Sequence, residues 1–524
     1  MRLTLVFLVL SLLHNGIALN ILGIVSVPLR SHYMAFQTFF RELAARGHNV
    51  TVINNFPDTR NTSNLRFVNL NQQLLTNITS LEMYENINPT FLHWRNFYNF
   101  LSYTPRIVRQ DCENLFTNVN AKKHLAEGNK YDVVFVELFT SDCALVYAAD
   151  NFEDTPIIGL TSHVLLPHTY TALGLPFRVA ADSFFFSKGG PNPSLLTKVE
   201  VAVMKLCLDL FDRLVNHRII NEVFQKHTRK ASLDVESIAK DRMNMVFAYQ
   251  HYSMTGARLL APQLLEIGGL HITQPKPVSK DIQEFLSNAK HGAIYVSFGS
   301  NLNISRMSPR MLQNFLTAFT KVPQKFLIKW ENDTFPSGHD NILTKKWFPQ
   351  FDVLCHPKIA GFISHGGMLS SSEAIHCGKP MVTIPFFGDQ FDNSASLSEI
   401  GFAKTLLFAS ITSEILANAI SEITSPEMQQ NARRVFNLWH DRPLPVMDSA
   451  IYWTEYVARQ RNAPPSLPSK HTTWFEFLLI DVICIFALLL FIVVWLCVAI
   501  WKLMKKVFSV LLRKLFCKNK VKKQ

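Results

Sequence analysis

Short, continuous apolar runs recur along this chain, and helical patterns separate them. The run Ile21–Val27 ends at Pro28, a helical pattern then continues through Leu43, and a second apolar run covers Asn49–Ile53. A strand with helices on both faces of its sheet has no polar side, so it appears in a sequence as such a run. Strand, helix and strand at this spacing predict a parallel α/β unit.

The pattern occurs in two series. Two more buried strands of the first series are predicted at Asp132–Val136 and Pro156–Leu160. After a polar, proline-bearing segment, the second series has predicted strands at Ala293–Phe298, Lys325–Trp330, Ile359–Ser364 and Met381–Pro385. A chain of 524 residues exceeds one ordinary core. We therefore predict two α/β domains across a cleft, at 19–267 and 291–465, joined by a linker at 268–290.

The N-terminus has the features of a secretory signal peptide. Met1 and Arg2 lead into an apolar run, and the small residues Gly16–Ala18 fit a cleavage site. We predict that residues 1–18 are removed by cleavage after Ala18.

The C-terminus is predicted to anchor the chain in a membrane. Val482–Trp501 is an uncharged run of 20 residues, long enough to cross a bilayer as a helix. We place the transmembrane helix at 475–501 and a basic tail at 502–524. The tail carries nine Lys or Arg and no acid, which predicts a cytoplasmic tail and a luminal body.

The basic composition of the chain has a local cause. Lys and Arg number 52 against 40 Asp and Glu. With the nine cations of the tail set aside, little net charge remains, so nucleic acid is not an expected partner. Lys520 and Lys522, fifth and third from the end, resemble the dilysine retrieval signal of endoplasmic reticulum membrane proteins.

The cysteines between the signal peptide and the span do not form a recognisable disulfide framework. There are five, an odd and scattered set: Cys112, Cys143, Cys207, Cys355 and Cys377. They allow one or two bridges, and the sequence leaves the pairing open. Sequons at Asn49, Asn61, Asn77, Asn303 and Asn332 are compatible with a glycosylated luminal body.

Polar residues of the second domain collect at the carboxyl ends of its predicted strands, where α/β proteins bind ligands. Ser300 follows one strand and offers a hydroxyl suited to a phosphate. His365, Gly366 and Gly367 open a helix, whose free N–H groups and positive dipole end favour a diphosphate.

Five further residues in this domain suit a nucleoside and a sugar. Trp347 offers a flat face for a base, and Gln350 an amide for its edge. Glu373 offers acceptors for ribose hydroxyls, and Asp389 with Gln390 offers groups for a sugar. Each feature alone is common in ordinary structure, but together they describe a nucleotide diphosphate sugar.

These residues resemble a known family signature. The tetrapeptide WFPQ (Trp347–Gln350), followed by FISHGGMLSSSEAIHCGKPMVTIPFFGDQ (Phe362–Gln390), resembles the UDP-glycosyltransferases, the family of the membrane-bound UDP-glucuronosyltransferases. The resemblance implies two Rossmann-like domains facing across a cleft, the GT-B type. It also implies contacts to a UDP-sugar: Trp347 to uracil, Gln350 near the nucleoside, Ser300 and His365 to phosphate, Glu373 to ribose, and Asp389 with Gln390 to the sugar.

The identity of the donor sugar stays open between glucose and glucuronic acid. Vertebrate members of the family commonly have Asn where this chain has Leu369, and insect members, which mostly use UDP-glucose, resemble this chain more closely there.

His32 is the predicted catalytic base. It follows the first strand where the next helix begins, and the positive end of a helix favours the neutral imidazole that a base requires. Pro28, Ser31 and His32 also match the family's P-x-x-S-H segment. The family pairs this histidine with an aspartate at the end of a strand, where this chain has Glu137. Asp142 lies five residues on, so the acidic partner is Glu137 or, alternatively, Asp142.

The resemblance implies an inverting transfer of sugar from UDP to the hydroxyl of a small lipophilic acceptor, as in detoxification. No Asp-x-Asp metal motif follows a strand, so neither a metal nor another cofactor is expected. The alternative is a catalytically impaired, luminal UDP-sugar-binding membrane protein on the same fold. Membrane lipid is a further expected partner, and a homo-oligomer is left open.

Two aromatic segments of the first domain have two interpretations. Phe91–Tyr103 spaces Phe91, Trp94, Tyr98 and Leu101 at helical intervals, which is typical of a core-facing stripe. Phe184–Phe186 is harder to bury in regular structure. Both segments are candidates for the lining of an apolar acceptor pocket.

Overall fold

Two parallel sheets organise the chain in the computed structural model. The structure describes residues 18–58, 62–72, 81–88, 91–139, 141–180, 182, 184–187, 189–190, 192–461 and 467–521. The predicted signal peptide, apart from Ala18, and the sequons at Asn61 and Asn77 lie outside these residues.

The first sheet has seven strands in the order β3-β2-β1-β4-β5-β6-β7, and every pair is parallel. The strands are β1 Asn20–Val25, β2 Asn49–Asn54, β3 Leu65–Asn69, β4 Val133–Glu137, β5 Ile157–Thr161, β6 Met243–Ala248 and β7 Leu264–Glu266. β1, β4 and β5 are buried almost throughout, which is why they read as unbroken apolar runs.

Helices cover this sheet. They are α1 Arg30–Ala45, α2 Glu82–Glu85, α3 Leu92–Thr117, α4 Val119–Ala126, α5 Cys143–Asn151, α6 Pro167–Ala172, α7 Leu195–Phe211, α8 His217–Thr228, α9 Val235–Arg242 and α10 Tyr252–Thr255. A π-helical turn, Asp212–Asn216, joins α7 to α8.

The second sheet has six strands, also all parallel, in the order β10-β9-β8-β11-β12-β13. They are β8 Ala293–Ser297, β9 Lys325–Lys329, β10 Ile342–Lys345, β11 Ile359–Ser364, β12 Met381–Thr383 and β13 Ala403–Thr405. Two parallel α/β sheets confirm the fold class expected from the sequence.

The helices of the second half begin at clear sequence signals. Ser308 and Ser425 each accept a hydrogen bond from the N–H group three residues on, and proline occupies the first helical position in both cases. These helices are α11 Lys280–Ser287, α12 Pro309–Thr320, α13 Gln350–Leu354, α14 Met368–His376, α15 Gln390–Glu399, α16 Ser413–Ile423, α17 Pro426–His440 and α18 Val446–Gln460.

Helix α18 returns from the second sheet to the first. It contacts β4 and β6, and Ile451 lies in one apolar cluster with Leu19, Val50 and Val133 of the first half. Asn244 on β6 also donates to the Arg461 carbonyl at the end of this helix. The last helix before the C-terminal unit therefore packs on the first sheet. The boundaries assigned to the two domains remain predictions.

Two disulfides lie in the described residues. Cys112 on α3 bonds to Cys143 on α5, and Cys355 bonds to Cys377 at the end of α14. The sequence allowed one or two bridges without their pairing, and the structure supplies it. Cys207 is free.

Residues Pro468–Gln524 form a separate unit. Within it, a short helix α19, Trp474–Phe477, precedes a long helix α20, Ile480–Val521. Its segment Ile480–Lys514 is long and apolar enough to cross a membrane, as expected from the uncharged run. The helix starts later than the predicted span, because Leu479 has a left-handed backbone with φ of 54°, and it continues into the basic tail.

The aromatic stripe expected at Phe91–Tyr103 faces the core only in part. Trp94 and Leu101 are half-buried and pack against the core cluster. Phe91 and Tyr98 are exposed, whereas Phe97 and Phe100 are buried and pack on Phe186. Two sets of apolar residues recur at helical spacing along this helix, and the set that contacts Phe186 is the buried one.

The position of α18 predicts a large stability difference between two matched substitutions. Ile451 is 2% exposed and Ile415 on α16 is 40% exposed. We expect Ile451→Ala to lower the free energy of unfolding by about 2–5 kcal/mol, because it leaves a cavity between the two halves. Ile415→Ala should change it by less than about 0.5 kcal/mol. Denaturant unfolding of the full chain in detergent checks this, and equal losses in both variants would contradict the packing of α18.

Candidate active site

Each sheet has one point where the strand order reverses, and several candidate site residues lie at the ends of the strands that flank these two points. In the first sheet the reversal lies between β1 and β4, and in the second between β8 and β11. A crevice opens at the carboxyl end of a parallel sheet at such a switch point, and ligands bind there.

The first switch point brings His32 and Glu137 together. His32 lies in the first turn of α1, just after β1, and Glu137 is the last residue of β4. His32 Nδ1 lies 2.6 Å from Glu137 Oε1. The side chain of His32 is 14% exposed and that of Glu137 is 1% exposed. The ring of Phe139 packs edge-on against His32, with centroids 4.4 Å apart.

This bond fixes the imidazole for proton transfer. A carboxylate at Nδ1 holds the tautomer whose Nε2 carries a lone pair, and it stabilises the imidazolium that forms when Nε2 takes a proton. The side chain of His32 stays partly exposed beside this bond. The arrangement is that of a general base with an orienting acid.

Asp142, the alternative partner, is directed elsewhere. It precedes α5, and its Oδ2 lies 3.7 Å from Nε2 of His217. Glu137 is thus the acid that contacts His32. The extra methylene of glutamate relative to aspartate is accommodated at the end of β4.

A second buried acid beside this pair was not found in the sequence. Burial raises the pKa of Asp111 on α3 to about 6, hydrogen bonds from Ser141 and Ser26 oppose that rise, and the negative charge of Glu137 adds to it. Its position in the middle of a helix gives no sequence signal. Glu137 therefore lies beside a carboxyl group that becomes protonated, and so neutral, at a higher pH than an ordinary aspartate.

The second switch point surrounds His365 with glycine. A Cβ atom on Gly299, after β8, would lie 2.8 Å from His365 Cε1, and one on Gly367 would lie 2.4 Å from its Nε2. Gly299 also has a φ of +75°. Burial lowers the pKa of His365 to about 4, and the charge of Lys329 acts in the same direction. His365 is therefore a neutral, closely confined group.

The N-terminus of α14 lies beside His365 and carries no side-chain cap. Gly367 is its N-cap residue. Gly366 has a φ of +80° and packs closely on Ser394, while its carbonyl accepts a hydrogen bond from Asn393 at 3.0 Å. The predicted anion-binding turn thus lies at the switch point, as its sequence indicated. Ser300 is exposed at the end of β8.

Lys329 is a cation at this point that sequence analysis missed. It ends β9, donates to the Gly299 carbonyl at 2.8 Å and pairs with Glu331 at 3.1 Å. Its Nζ lies 5.9 Å from the centre of the Trp347 ring. Trp347 itself is 61% exposed, so its face is available for stacking. The sequence feature that could have identified Lys329 is its place at the end of a predicted strand.

A hydrogen-bonded chain runs through the predicted nucleoside site. Gln350 Nε2 donates to Glu373 Oε2 at 2.6 Å and to Ser370 Oγ at 3.0 Å. The other oxygen of Glu373 lies 3.3 Å from His271 Nε2, and His271 Nδ1 bonds to the hydroxyl of Tyr249. His271 and Tyr249 were not predicted. They connect Glu373 to the end of β6 in the first sheet.

Asp389 and Gln390 begin α15, after β12. Asp389 Oδ2 accepts from Asn393 at 2.8 Å. Burial raises the pKa of Asp389 to about 6, a rise that the Asn393 bond and the His32 imidazole oppose. Gln390 is buried, and its oxygen accepts from the N–H groups of Phe386 and Phe387. A sugar contact was predicted for Gln390. Because its oxygen is already engaged, only its amide nitrogen remains to bind a ligand.

Side chains from the first half of the chain also hold the loop before Asp389. Asn96 on α3 donates to the carbonyl of Phe386 at 2.7 Å, and the ring of Phe185 lies beside Gly388, where a Cβ would be 3.5 Å from it. The charge of His32 reaches Asp389. The structure thus brings the two groups of predicted residues to one cleft.

In the described ranges, no three or more His, Cys, Asp or Glu side chains form a group able to hold a metal ion.

The family comparison covers nearly the whole chain. The family model described as UDP-glucoronosyl and UDP-glucosyl transferase matches residues 23–519. UDP-glycosyltransferase UGT4 of Dactylopius coccus is 30% identical over 496 residues, covering 92% of this chain and 94% of the relative. UDP-glucuronosyltransferase 2B19 of Macaca fascicularis is 27% identical over 509 residues, covering 91% and 92%.

Solved structures share the fold. The glycotransferase of kitacinnamycin aligns with a TM-score of 0.57 at 17% identity, over 85% of this chain and 100% of that one. A UDP-glucosyltransferase from Polygonum tinctorium aligns with a TM-score of 0.56 at 15% identity, over 84% and 99%. The fold is therefore the GT-B glycosyltransferase fold. With the family match over most of its length, the chain belongs to the UDP-glucuronosyl and UDP-glucosyl transferase family and is a glycosyltransferase.

Proposed function

We propose that this chain is an inverting UDP-glycosyltransferase that transfers glucose or glucuronic acid from a UDP-sugar to a hydroxyl of a small lipophilic acceptor, as in detoxification. The observation that carries the proposal is the 2.6 Å contact between His32 and Glu137 in the cleft that also holds Asp389. A paired base and a sugar-binding acid are what this reaction requires.

The chemical step proceeds by direct displacement. His32 Nε2 takes the proton of the acceptor hydroxyl as that oxygen attacks the anomeric carbon from the face opposite UDP. The bond between the anomeric carbon and the phosphate oxygen breaks, and UDP leaves with the electron pair. Glu137 stabilises the imidazolium formed at His32. One substitution at carbon inverts the configuration, so an α-linked donor gives a β-glycoside.

The donor diphosphate is held by protein groups, without a metal. The N–H groups of Gly366 and Gly367, the hydroxyl of Ser300 and the imidazole of His365 surround the start of α14. Lys329 adds positive charge nearby, and the helix dipole acts in the same direction.

The nucleoside and sugar bind on either side of the diphosphate. Trp347 stacks on uracil, Gln350 orients Glu373, and Glu373 accepts from the ribose. Asp389 accepts from the sugar hydroxyls, and the amide nitrogen of Gln390 donates to them.

The acceptor side is apolar, and this supports a lipophilic alcohol or phenol. Phe139 lies beside His32, and Phe185 lies beside Gly388 in the loop before Asp389. The intact pair of His32 and Glu137 disfavours the alternative of a catalytically impaired binding protein. We further propose that the body is luminal, that the tail is cytoplasmic and that the protein resides in the endoplasmic reticulum membrane.

The function is tested with purified full-length protein in detergent. Incubation with UDP-glucose and with UDP-glucuronate, each with a panel of phenols, should give β-glycosides with one donor strongly preferred. His32→Ala should lower kcat by about 10²–10⁴-fold, the usual contribution of a general base, while UDP binding by calorimetry is unchanged. Full activity in His32→Ala would overturn the mechanism.

The acid partner is tested by two isosteric substitutions. We expect Glu137→Gln to reduce kcat with little effect on KM for the UDP-sugar, because it removes the charge that stabilises the imidazolium. Asp142→Asn, a matched loss of one carboxylate that does not contact His32, should retain activity near that of the wild type. Loss of activity in Asp142→Asn alone would reverse the assignment.

The confinement of His365 predicts an effect on UDP affinity. Gly299→Ala places a methyl group 2.8 Å from the imidazole, so His365 must move, and UDP should bind about tenfold more weakly if 1.4 kcal/mol is lost. Gly338→Ala is the control, because its φ of +89° imposes similar backbone strain while no atom lies within 4 Å. Equal UDP affinity in the two variants would contradict the role of His365.

The raised pKa of Asp389 predicts an acid limb in the pH profile. The carboxylate accepts hydrogen bonds from sugar hydroxyls, and it is lost as the pH falls through about 6. We expect the affinity for the UDP-sugar, measured by calorimetry without an acceptor, to fall below that pH, because this readout does not require the base to act. Asp389→Asn should have a low value without this limb. The same limb in Asp389→Asn would show that another group titrates.

A further inference from the structure

A second histidine, His163, is buried beside His32 and takes no part in the proposed mechanism. It follows β5, two residues after its last residue, Thr161. Its ring centre lies 6.1 Å from that of His32, and it is buried at 3% exposure. Two phenylalanine rings flank it, Phe139 at 5.1 Å and Phe185 at 5.2 Å between ring centres.

The hydrogen bonds of His163 fix which of its nitrogens is free. Nδ1 lies 2.7 Å from the carbonyl oxygen of Val164. A carbonyl only accepts, so Nδ1 carries the hydrogen, and Nε2 of the neutral ring has a lone pair. Nε2 is buried and has no hydrogen-bond partner among the described residues.

Burial keeps this ring in the neutral state. It lowers the pKa of His163 to about 3, the charge of His32 acts in the same direction, and the bond to Val164 opposes the shift. A buried acceptor without a partner is unfavourable in a folded protein. It becomes satisfied when a bound molecule donates a hydrogen bond.

The surroundings indicate which molecule that is. Phe139 packs against both imidazoles, with ring centres 4.4 Å from His32 and 5.1 Å from His163. One aromatic wall thus carries the catalytic base and an acceptor nitrogen side by side. Phe185 closes the same region and reaches Gly388, next to Asp389. An aromatic ring with two neighbouring hydroxyl donors is complementary in chemistry to this wall and these two nitrogens.

We propose that His163 determines acceptor specificity, and that its Nε2 accepts a hydrogen bond from a second hydroxyl adjacent to the one that reacts at His32. The favoured acceptors are aromatic ortho-diols. The proposal rests on the proposed function for the position of the reacting hydroxyl, but the binding contact itself does not require turnover.

The test compares two acceptors that differ in one hydrogen-bond donor. Catechol has both hydroxyls, whereas in 2-methoxyphenol the second is methylated. We expect wild type to favour catechol in kcat/KM by about tenfold, the effect of about 1.4 kcal/mol. His163→Leu, which removes the acceptor nitrogen, should bring the ratio close to one. His163→Gln, whose side-chain oxygen still accepts, should restore part of the preference.

A matched control and a second readout keep the test decisive. His291→Leu makes the same substitution at an exposed site and should keep the wild-type ratio. Calorimetry with UDP present measures the affinities of both acceptors without turnover, so the His163 contact can fail or succeed separately from the glycosyl transfer.

Three outcomes would overturn the proposal. One is a wild-type enzyme that does not discriminate between the two acceptors in rate or in affinity. Another is an unchanged ratio in His163→Leu. The third is a change in KM for the UDP-sugar with an unchanged acceptor ratio, which would assign His163 to the donor.

Discussion

The contact between His32 and Glu137 is the constraint on which the rest of the site depends. It exists because β1 and β4 are parallel neighbours although more than 100 residues separate the two side chains. The chain runs outward from β1 to β3 and then crosses to β4, so no strand lies between them. The crevice at that reversal holds the proposed base, and the burial of Glu137 strengthens an electrostatic contact that water would weaken.

The second sheet also has a reversal of strand order, and positive charge lies there instead of the carboxylate of Glu137. Its reversal lies between β8 and β11, so Gly299 and His365, which follow those strands, meet there. The glycines are needed because a side chain would occupy the volume of the imidazole. Positive charge from Lys329 and from the start of α14 collects at this point. We propose that one crevice serves proton transfer and the other holds a diphosphate. Asn96 bonds to Phe386 in the loop before Asp389.

The sequence predicted the strands around both reversals and placed most candidate residues at strand ends. It missed the buried interior strand β6 and what only tertiary contacts create. β1, β4, β8 and β11 are buried and read as apolar runs. The edge strands β3 and β10 are short and partly exposed, and carry no such signal. The strand-end rule found His365 and Asp389, whereas the choice between Glu137 and Asp142 needed distances. Asp111 and His271 act through contacts to distant segments, so no local pattern marks them.

The assignment of His32 as the base also follows from a comparison of the imidazoles around the cleft. His163 is buried and His365 is half-buried, and their pKa values are lowered to about 3 and about 4, so protonation at either is unfavourable. His271 has both ring nitrogens engaged, with Tyr249 and Glu373. His32 has a carboxylate at one nitrogen, and its side chain is partly exposed. A base must gain a proton and be stabilised once it is charged, and of these four rings His32 alone meets both requirements.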